Sequence, residues 1–541
     1  MSTPWEELYK LASGTLTAIG RVQQANMVAA SRSMELLSHA YSRVLGGPGG
    51  EVLPSDRRFA DAEWSENPAF DLIKQAYLIT AQWMTDLADS TEEIDPRLHH
   101  HARFWAAQTT DALSPANFPL TNPAVLHETL RTGGANLNRG VQNLMRDVQK
   151  RRISMVPENA FQVGKDLALT PGKVIYRNAL IELLQYSPTT ESVRAVPILV
   201  VPPWINRYYV MDMRPDNSLF KYLVEAGFTV FTISWRNPDS SLRHLTWDDY
   251  TDLGLLDALR VVKSITGAPR VNAVGYCLGG IILEVTAAYL AAVGDSGLNT
   301  VTLFTTHQDF TDAGDVVIFI SEAGVKFLEW LMAASGGYLD GRSIGATFNM
   351  LRSNDLVWHY WVHNYLLGED PPAFDLLYWN SDGTRVLERV HAFLIREFFL
   401  GNKLVEPDGI RVKGQGIDVR RITAPAYVVA AEADHIVPWK GAFRARELLG
   451  GPVRFVLTES GHIAGIINPP PGKKRSYWTN QDGPTDDAAW LNGATRNAGS
   501  WWLDWVPWLH GHSGESAPPP PLGSEEFPPI MDAPGSYVLE N

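Results

Sequence analysis

The residue best suited to chemistry in this chain of 541 residues is Cys277, its single cysteine. It lies in the stretch Gly275-Tyr276-Cys277-Leu278-Gly279-Gly280, directly after the strand-like run Val271–Val274. Glycines two positions before and after a nucleophile are typical of a nucleophile elbow, a strained strand-to-helix turn where larger side chains would collide with neighbouring backbone. The dipole of a helix beginning near Ile281 would favour the thiolate. A lone cysteine is more often a buried hydrophobe, but this setting predicts a nucleophile.

Two later residues have the order expected of partners for such a nucleophile. In hydrolases with this elbow, an acid and then a histidine follow the nucleophile along the chain. Asp434 follows the predicted strand Ala426–Ala430, and His462 follows the next predicted strand, Val453–Leu457. We therefore expect His462 to take the proton from Cys277 and Asp434 to orient the imidazole.

Each partner has one alternative nearby. Glu432 could serve as the acid, but it lies nearer to the end of its strand, which favours Asp434. His435 could serve as the base, but it follows the acid directly and precedes the last strand. This position favours His462 and leaves His435 a packing role.

A nucleophile attacking a carbonyl also needs two backbone N–H groups to stabilise the oxyanion. One is expected from Leu278, the residue after the nucleophile. The other is expected from the loop Pro202-Pro203-Trp204-Ile205-Asn206, which two prolines make rigid. Ile205 is the first choice and Trp204 the second. The alternative is an ordinary proline-rich end of a strand.

The elements that must position these residues alternate in type from about residue 175. Short β-branched runs are each followed by a turn and a helical pattern: Pro197–Val201, Phe228–Ser234, Val271–Gly275, Thr300–Thr305, Ala426–Ala430 and Val453–Leu457. Strands that alternate with helices predict a parallel sheet with right-handed crossovers. Together with the elbow, this pattern predicts an α/β protein with the α/β-hydrolase fold.

The domain prediction follows the same changes in pattern. Residues 1–180 are predicted as a helical N-terminal domain, with a flexible joint at the glycine-rich stretch 46–50. Residues 181–510 are predicted as the catalytic domain. Its insertion at about 308–422, rich in aromatic residues, is interpreted as a cap or lid, the alternative being a separate small domain. Residues 511–541 are predicted to form a proline-rich, mostly extended tail.

Composition excludes several classes of protein. Lys and Arg total 46 against 60 Asp and Glu, a net charge of −14, and the absence of a long basic run argues against nucleic acid as a partner. One cysteine excludes an internal disulfide and a thiolate metal cluster. No apolar run has the length of about 20 residues that a transmembrane helix needs. The acidic N-terminus lacks the features of a secretory signal, so we expect a cytoplasmic protein.

The same motifs, taken together, resemble those of the polyhydroxyalkanoate synthases. The resemblance runs from about residue 56 to residue 509. It is carried by the elbow and by Val201–Tyr209, Ser234–Pro238, Asp434–Trp439, Ser460–Gly465, Asp56–Ala60 and Ser114–Phe118. Two cap motifs, Asp355–Trp358 and Phe374–Asn380, resemble the class I, single-subunit branch that uses short acyl chains.

The resemblance implies an acyltransferase that polymerises (R)-3-hydroxyacyl-CoA, chiefly 3-hydroxybutyryl-CoA, into polyester. It implies an acyl thioester on Cys277 and release of coenzyme A. Asp434 then either orients His462 or helps to deprotonate the 3-hydroxyl group. The coenzyme A thioester is the substrate, so no cofactor and no metal are expected. A homodimer is expected, located in the cytoplasm at the surface of polymer granules with granule-associated proteins. The alternatives are an α/β-hydrolase-fold thioesterase, a polyester depolymerase, or a scaffold without catalysis.

Overall fold

The computed structural model describes residues 4–45, 50–470, 472 and 475–540. The chain divides into two compact units. The helical unit comprises the residues up to Pro157 together with Ala346–Pro372, and the sheet unit comprises Glu158–Gly345 and the residues from Ala373 onward. Apart from Gly50, the predicted joint at 46–50 lies outside the described residues. Within the described ranges, no helix is long and apolar enough to cross a membrane.

The helical unit is built from helices whose first turns are set by local sequence. Asn67, Asp95 and Asn122 each precede a proline and accept a backbone N–H from the first turn of the helix that follows. Such N-caps stabilise a helix because its first N–H groups have no intrahelical partner. The helices are Pro4–Val44, Glu63–Glu66, Pro68–Asp89, Pro96–Ala112, Pro123–Thr132 and Ala135–Lys150.

Part of the predicted cap belongs to this helical unit. The Tyr365 hydroxyl donates to Asp147 over 2.6 Å, and the Asn136 amide donates to the Leu366 carbonyl over 2.9 Å. The indole of Trp361 donates to the Asn117 carbonyl over 2.9 Å. The predicted insertion at 308–422 is therefore divided between the two units. The association of residues 346–372 with the N-terminal helices depends on long-range side-chain contacts, which the local sequence pattern does not reveal.

Among its described residues, the sheet unit contains one mixed sheet of eleven strands. In chain order the strands are β1 Gly172–Arg177, β2 Ile181–Tyr186, β3 Ile198–Val201, β4 Val230–Trp235, β5 Val271–Tyr276, β6 Leu298–Phe304, β7 Ala426–Ala431, β8 Val453–Thr458, β9 Ser476–Thr479, β10 Thr495–Ala498 and β11 Met531–Asp532. Their spatial order is β10-β9-β8-β7-β6-β5-β3-β4-β2-β1-β11. The six strands from β8 to β4 are parallel, and antiparallel strands extend both edges.

Helices and short strand pairs complete the sheet unit. The helices are Leu219–Glu225, Trp247–Asp249, Asp257–Thr266, Leu278–Ala292, Glu322–Ala334, Asp375–Asn380, Glu388–Phe393, Trp439–Phe443, Ala445–Leu448, Asp487–Asn492 and Trp502–His512, and Gly341–Leu351 begins here. The additional strand pairs are Val193–Arg194 with Ser516–Ala517, Tyr338–Leu339 with Val386–Leu387, and Ile410–Val412 with Gln415–Ile417.

The parallel strands are apolar on both faces. In β5, Val271 and Ala273 pack into one hydrophobic cluster while Val274 and Tyr276 pack into another, because successive side chains of a strand point to opposite faces. Burial on both faces is the ordinary condition of a parallel sheet. The α/β class predicted from the sequence is thus confirmed.

The strand order places the predicted chemistry at one edge of this sheet. The order reverses between β3 and β5, which are neighbours with Val201 opposite Gly275. Such a reversal opens a crevice at the carboxyl ends of the strands, where α/β proteins bind their ligands. The loops that carry the predicted site residues all leave these carboxyl ends.

Two predicted boundaries differ from the structure. The boundary at 180 falls between β1 and β2, which pair as an antiparallel hairpin, whereas the compact units part at Pro157. The predicted tail from 511 contains β11, which pairs with β1. A proline-rich segment cannot build a core of its own. The N–H and C=O groups of its other residues can still pair with the edge of an existing sheet.

Candidate active site

Cys277 occupies a strained turn between β5 and the helix Leu278–Ala292, here called the elbow helix. Its φ is 54° and its ψ is −120°, a backbone conformation that residues with a side chain rarely adopt. The flanking glycines permit the turn. A Cβ atom on Gly275 would lie 2.5 Å from the Gly280 Cα, and one on Gly279 would lie 2.1 Å from the Val201 carbonyl oxygen. The start of the elbow helix therefore packs directly against the end of β3.

Asp434 is held by three hydrogen bonds at the end of β7. Its Oδ1 accepts the backbone N–H groups of Ile436 and Val437, each over 2.9 Å, and its Oδ2 lies 2.7 Å from His462 Nδ1. Burial alone raises the pKa of Asp434, but the charge of His462 and the two backbone N–H groups outweigh it, so the pKa is below its ordinary value. An ionised carboxylate only accepts hydrogen bonds, so His462 Nδ1 carries the proton.

His462 connects this carboxylate to the thiol. Its Nδ1 faces Asp434 over 2.7 Å, which leaves Nε2 on the side of the ring away from the carboxylate, and Cys277 lies close enough to influence the charge of the ring. Burial lowers the pKa of His462, but the negative charges of Asp434 and Cys277 more than compensate and raise it well above its ordinary value. A positively charged imidazole beside a cysteine is the partner that a reactive thiol needs. The structure thus brings all three predicted triad residues together from the ends of β5, β7 and β8.

The alternatives to the acid and the base lie elsewhere on the same loop. Glu432 is exposed, and the carboxylate that contacts His462 is that of Asp434. His435 is half-buried, and its backbone carbonyl accepts the N–H of Asp315. The carboxylate at His462 Nδ1 is therefore that of Asp434, and the imidazole that contacts Asp434 is that of His462.

Tyr276 supports the base, a role that its sequence position did not suggest. Its ring stacks on the His462 imidazole, with centroids 5.6 Å apart and planes inclined by 27°. Its hydroxyl donates to the His462 carbonyl over 3.3 Å. Burial raises the pKa of this fully buried phenol well above its ordinary value, so the hydroxyl remains a donor. An aromatic residue directly before the nucleophile is the signal that could have identified it.

The backbone groups predicted for the oxyanion belong to the start of the elbow helix and to the loop after β3. Leu278 is the first residue of the elbow helix, so its N–H has no intrahelical partner. In the loop, Pro202 and Pro203 have no N–H, which makes Trp204 and Ile205 the first available donors after β3. Ile205 packs, partly buried, against the same hydrophobic cluster as Cys277. The Trp204 ring packs edge-on against three further aromatic rings.

His307 is a site neighbour that the sequence analysis did not identify. It follows β6, and its Nε2 lies 3.1 Å from the Ile436 carbonyl oxygen on the loop that holds Asp434. Burial lowers its pKa to about 4, so it is neutral at physiological pH. Its position after β6, at the same edge of the sheet as the triad, is the signal that could have found it.

A buried carboxyl group lies about two turns further along the elbow helix. Glu284 is fully buried and accepts a hydrogen bond from the Gln308 amide over 2.8 Å. Burial raises its pKa to about 8, so the group is protonated at neutral pH. No cluster of three or more potential metal ligands occurs in the part of the chain that the structure describes.

Comparison with known proteins finds two families that match this chain. The family described as "Poly-beta-hydroxybutyrate polymerase (PhaC) N-terminus" matches residues 55–223. The family "alpha/beta hydrolase fold" matches residues 197–469, which confirms the predicted fold.

Curated relatives match across most of the chain. It is 44% identical to the poly(3-hydroxyalkanoate) polymerase of Methylorubrum extorquens, over 90% of this chain and 81% of that protein. It is 42% identical to the poly(3-hydroxyalkanoate) polymerase subunit PhaC of Cupriavidus necator, over 89% of this chain and 83% of that protein. It is 39% identical to poly(3-hydroxyalkanoate) polymerase 1 of Ectopseudomonas oleovorans, over 90% of this chain and 86% of that protein.

Proposed function

The chain belongs to the poly(3-hydroxyalkanoate) polymerase family of acyltransferases, and we propose that it polymerises (R)-3-hydroxyacyl groups from coenzyme A thioesters through an acyl thioester on Cys277. The observation that carries the proposal is the hydrogen bond between Asp434 and His462, together with the strained Cys277 whose charge acts on the same imidazole. The proposed reaction uses no metal and no cofactor, because coenzyme A enters as part of the substrate.

In the first step the Cys277 thiolate attacks the thioester carbonyl. A carbon–sulfur bond to Cys277 forms, and the N–H groups of Leu278 and Ile205 stabilise the negative charge on the oxygen. The bond to coenzyme A then breaks, and its thiolate takes the proton that His462 holds. One thioester replaces another, so the acyl group stays reactive.

In the second step a hydroxyl group of the growing polyester attacks the acyl-enzyme. His462, now neutral, takes the hydroxyl proton as the new carbon–oxygen bond forms, and the Cys277 thiolate leaves. An oxoester is more stable than a thioester, so this transfer drives the polymerisation.

The contacts of Asp434 support an orienting role for it. A carboxylate has about four lone-pair sites, and three are taken by His462, Ile436 and Val437. Asp434→Asn should therefore slow acylation as well as transfer, because a misoriented imidazole impairs both. Normal acylation with failed transfer would instead assign Asp434 to the deprotonation of the hydroxyl group.

The experiment that tests the reaction combines two readouts. We expect purified protein with 3-hydroxybutyryl-CoA to release coenzyme A while turbidity from polymer rises. Coenzyme A release that yields free 3-hydroxy acid without polymer would identify a thioesterase or a depolymerase. Absence of release would contradict catalysis altogether. Treatment with a chelator should leave the rate unchanged, as the proposed chemistry needs no metal.

We also propose that the preferred acyl groups are short, with 3-hydroxybutyryl first. Six further methylene groups would add about 5 kcal/mol of binding in an open apolar pocket, at ~0.8 kcal/mol each, so the site must exclude long chains sterically. The buried rings of Trp204 and Tyr276 beside the elbow supply bulk for this exclusion. A kcat/KM for a ten-carbon thioester equal to or above that for the four-carbon one would contradict this preference.

The family membership further supports a homodimer as the active form, with the enzyme at the surface of polymer granules in the cytoplasm and in contact with granule-associated proteins. Sedimentation at working concentration should show a dimer, and specific activity should fall on dilution. Monomers with undiminished activity would contradict the dimer. Enzyme that stays in the supernatant when newly formed polymer is pelleted would contradict the granule location.

A further inference from the structure

The carbonyl groups of the loop Pro202–Asn206, here called the oxyanion loop, are held by donors that lie outside it. The indole of Trp235 donates to the Pro202 carbonyl over 2.8 Å. The Thr384 hydroxyl donates to the Trp204 carbonyl over 2.6 Å, and the Thr384 backbone N–H donates to the Ile205 carbonyl over 3.0 Å. A single residue thus holds the two carbonyl groups that flank the backbone of Ile205.

These contacts fix the direction of the proposed oxyanion donor. The Trp204 carbonyl and the Ile205 N–H belong to one planar trans peptide unit, so they point in opposite directions. A hydrogen bond that holds the carbonyl toward Thr384 therefore holds the Ile205 N–H away from it. Rotation of this peptide unit would move the N–H out of line, and the Thr384 hydroxyl opposes that rotation.

Thr384 is itself firmly placed. Its side chain is buried, with 1% of the residue exposed. The segment on either side of it is anchored by further hydrogen bonds: Trp379 to the Arg207 carbonyl at 2.7 Å, Tyr209 to Asp382 at 2.8 Å, and the Arg385 N–H to Asn237 at 2.9 Å. A hydroxyl on a support anchored in this way can define the direction of a peptide unit.

We propose that Thr384 is a positioning residue for the oxyanion hole, acting through the Trp204–Ile205 peptide unit. The inference rests on the proposed acyl transfer through Cys277, and it adds a residue outside the triad and outside the elbow. Removal of one oxyanion donor typically lowers kcat about 10²–10³-fold. A donor that is present but misdirected should cost less, about 10–100-fold.

The test compares Thr384→Val, which has nearly the same shape without the hydroxyl, with Thr384→Ser, which keeps it. Both variants retain the backbone N–H to Ile205. We expect the valine variant to lose about 10–100-fold in kcat for coenzyme A release with KM little changed, and the serine variant to stay near wild type. Iodoacetamide should alkylate Cys277 at the same rate in all three proteins, because displacement of iodide creates no oxyanion.

Three results would overturn the proposal. A folded valine variant with wild-type kcat would show that the hydroxyl does not matter. Equal slowing of alkylation and coenzyme A release would show general damage to the site. A serine variant as slow as the valine variant would show that the lost methyl group, rather than the hydroxyl, is responsible. If the valine variant does not fold, Thr384→Ala takes its place in the same comparison. Wild-type protein that releases no coenzyme A would refute the proposed function itself.

Discussion

Two buried carboxylates of the sheet unit receive nearly the same hydrogen bonds and have different neighbours. Asp434 accepts two backbone N–H groups and the imidazole of His462. Glu182, on β2, accepts the backbone N–H groups of Ser536 and Tyr537 over 2.9 and 3.0 Å, and it forms an ion pair with Arg177. In both places a negative charge inside the protein is stabilised by backbone donors and one cationic partner.

The partner decides what each carboxylate can do. His462 changes its protonation state and also contacts Cys277, so Asp434 influences a reacting group. The partner of Glu182 is an arginine, a residue type that does not serve as a catalytic base, and Glu182 instead ties the segment around Tyr537 to the first strands of the sheet. Buried charge with full hydrogen bonding is therefore no sign of catalysis by itself. The comparison predicts that changes near Asp434 affect rate, whereas changes near Glu182 affect stability.

The largest effect is expected at the nucleophile. Cys277→Ala should lower coenzyme A release by at least about 10³-fold, since no other thiol is present, and Cys277→Ser should retain only a trace because serine ionises far less readily. Thermal unfolding followed by circular dichroism should be nearly unchanged. Alanine protein that works at the wild-type rate would exclude the mechanism.

A separate prediction concerns the base and measures the reactivity of the thiol rather than turnover. His462→Gln removes the group that pairs with the thiolate, so alkylation of Cys277 by iodoacetamide at neutral pH should slow by about 10-fold or more. Labelling is followed by mass spectrometry of the intact protein. Tyr276→Phe is the matched control, because it keeps the ring that stacks on His462 and loses only the hydroxyl. Unchanged labelling in the glutamine variant would show that His462 does not activate the thiol.

The two carboxylates can be compared directly with isosteric amides. Asp434→Asn should lower turnover by about 10²–10⁴-fold, as in other triads whose acid is replaced. Glu182→Gln should leave turnover of the folded protein within about 3-fold and lower the free energy of unfolding by about 2 kcal/mol, the value of a hydrogen bond to a charged group. The measurements are steady-state kinetics and urea unfolding of both variants. The opposite pattern would remove the distinction between the two carboxylates.

The same contrast explains which parts of the molecule the sequence reveals. Cys277, Asp434 and His462 could be predicted because the chemistry demands residue types at strand ends in a fixed order, with glycines about the nucleophile. The pairing of Glu182 with the segment around Tyr537 could not be predicted, because more than 350 positions separate the partners and neither segment has a local motif. The contacts of residues 346–372 with the N-terminal helices are of the same long-range kind, as is the support of Ile205 by Thr384.

The smallest effect is a change in titration. The thiolate of Cys277 contributes to the raised pKa of His462, so Cys277→Ala should lower that pKa. A histidine whose folded pKa exceeds its unfolded value of about 6.5 stabilises the protein below that pH, and this contribution is lost as the pH rises through the folded pKa. In the alanine variant the loss should occur at lower pH. NMR titration of His462 in both proteins checks this, and identical midpoints would contradict a thiolate–imidazolium pair.

The most direct test of the central claim is to trap the acyl-enzyme. Protein mixed with 3-hydroxybutyryl-CoA is quenched with acid within the first turnovers, digested and analysed by mass spectrometry. We predict a 3-hydroxyacyl group, or a short oligomer of it, on the peptide that contains Cys277, removable by hydroxylamine and absent from Cys277→Ala. Polymer formation with the acyl group on another residue, or with no acyl group on Cys277 at any time, would contradict the account.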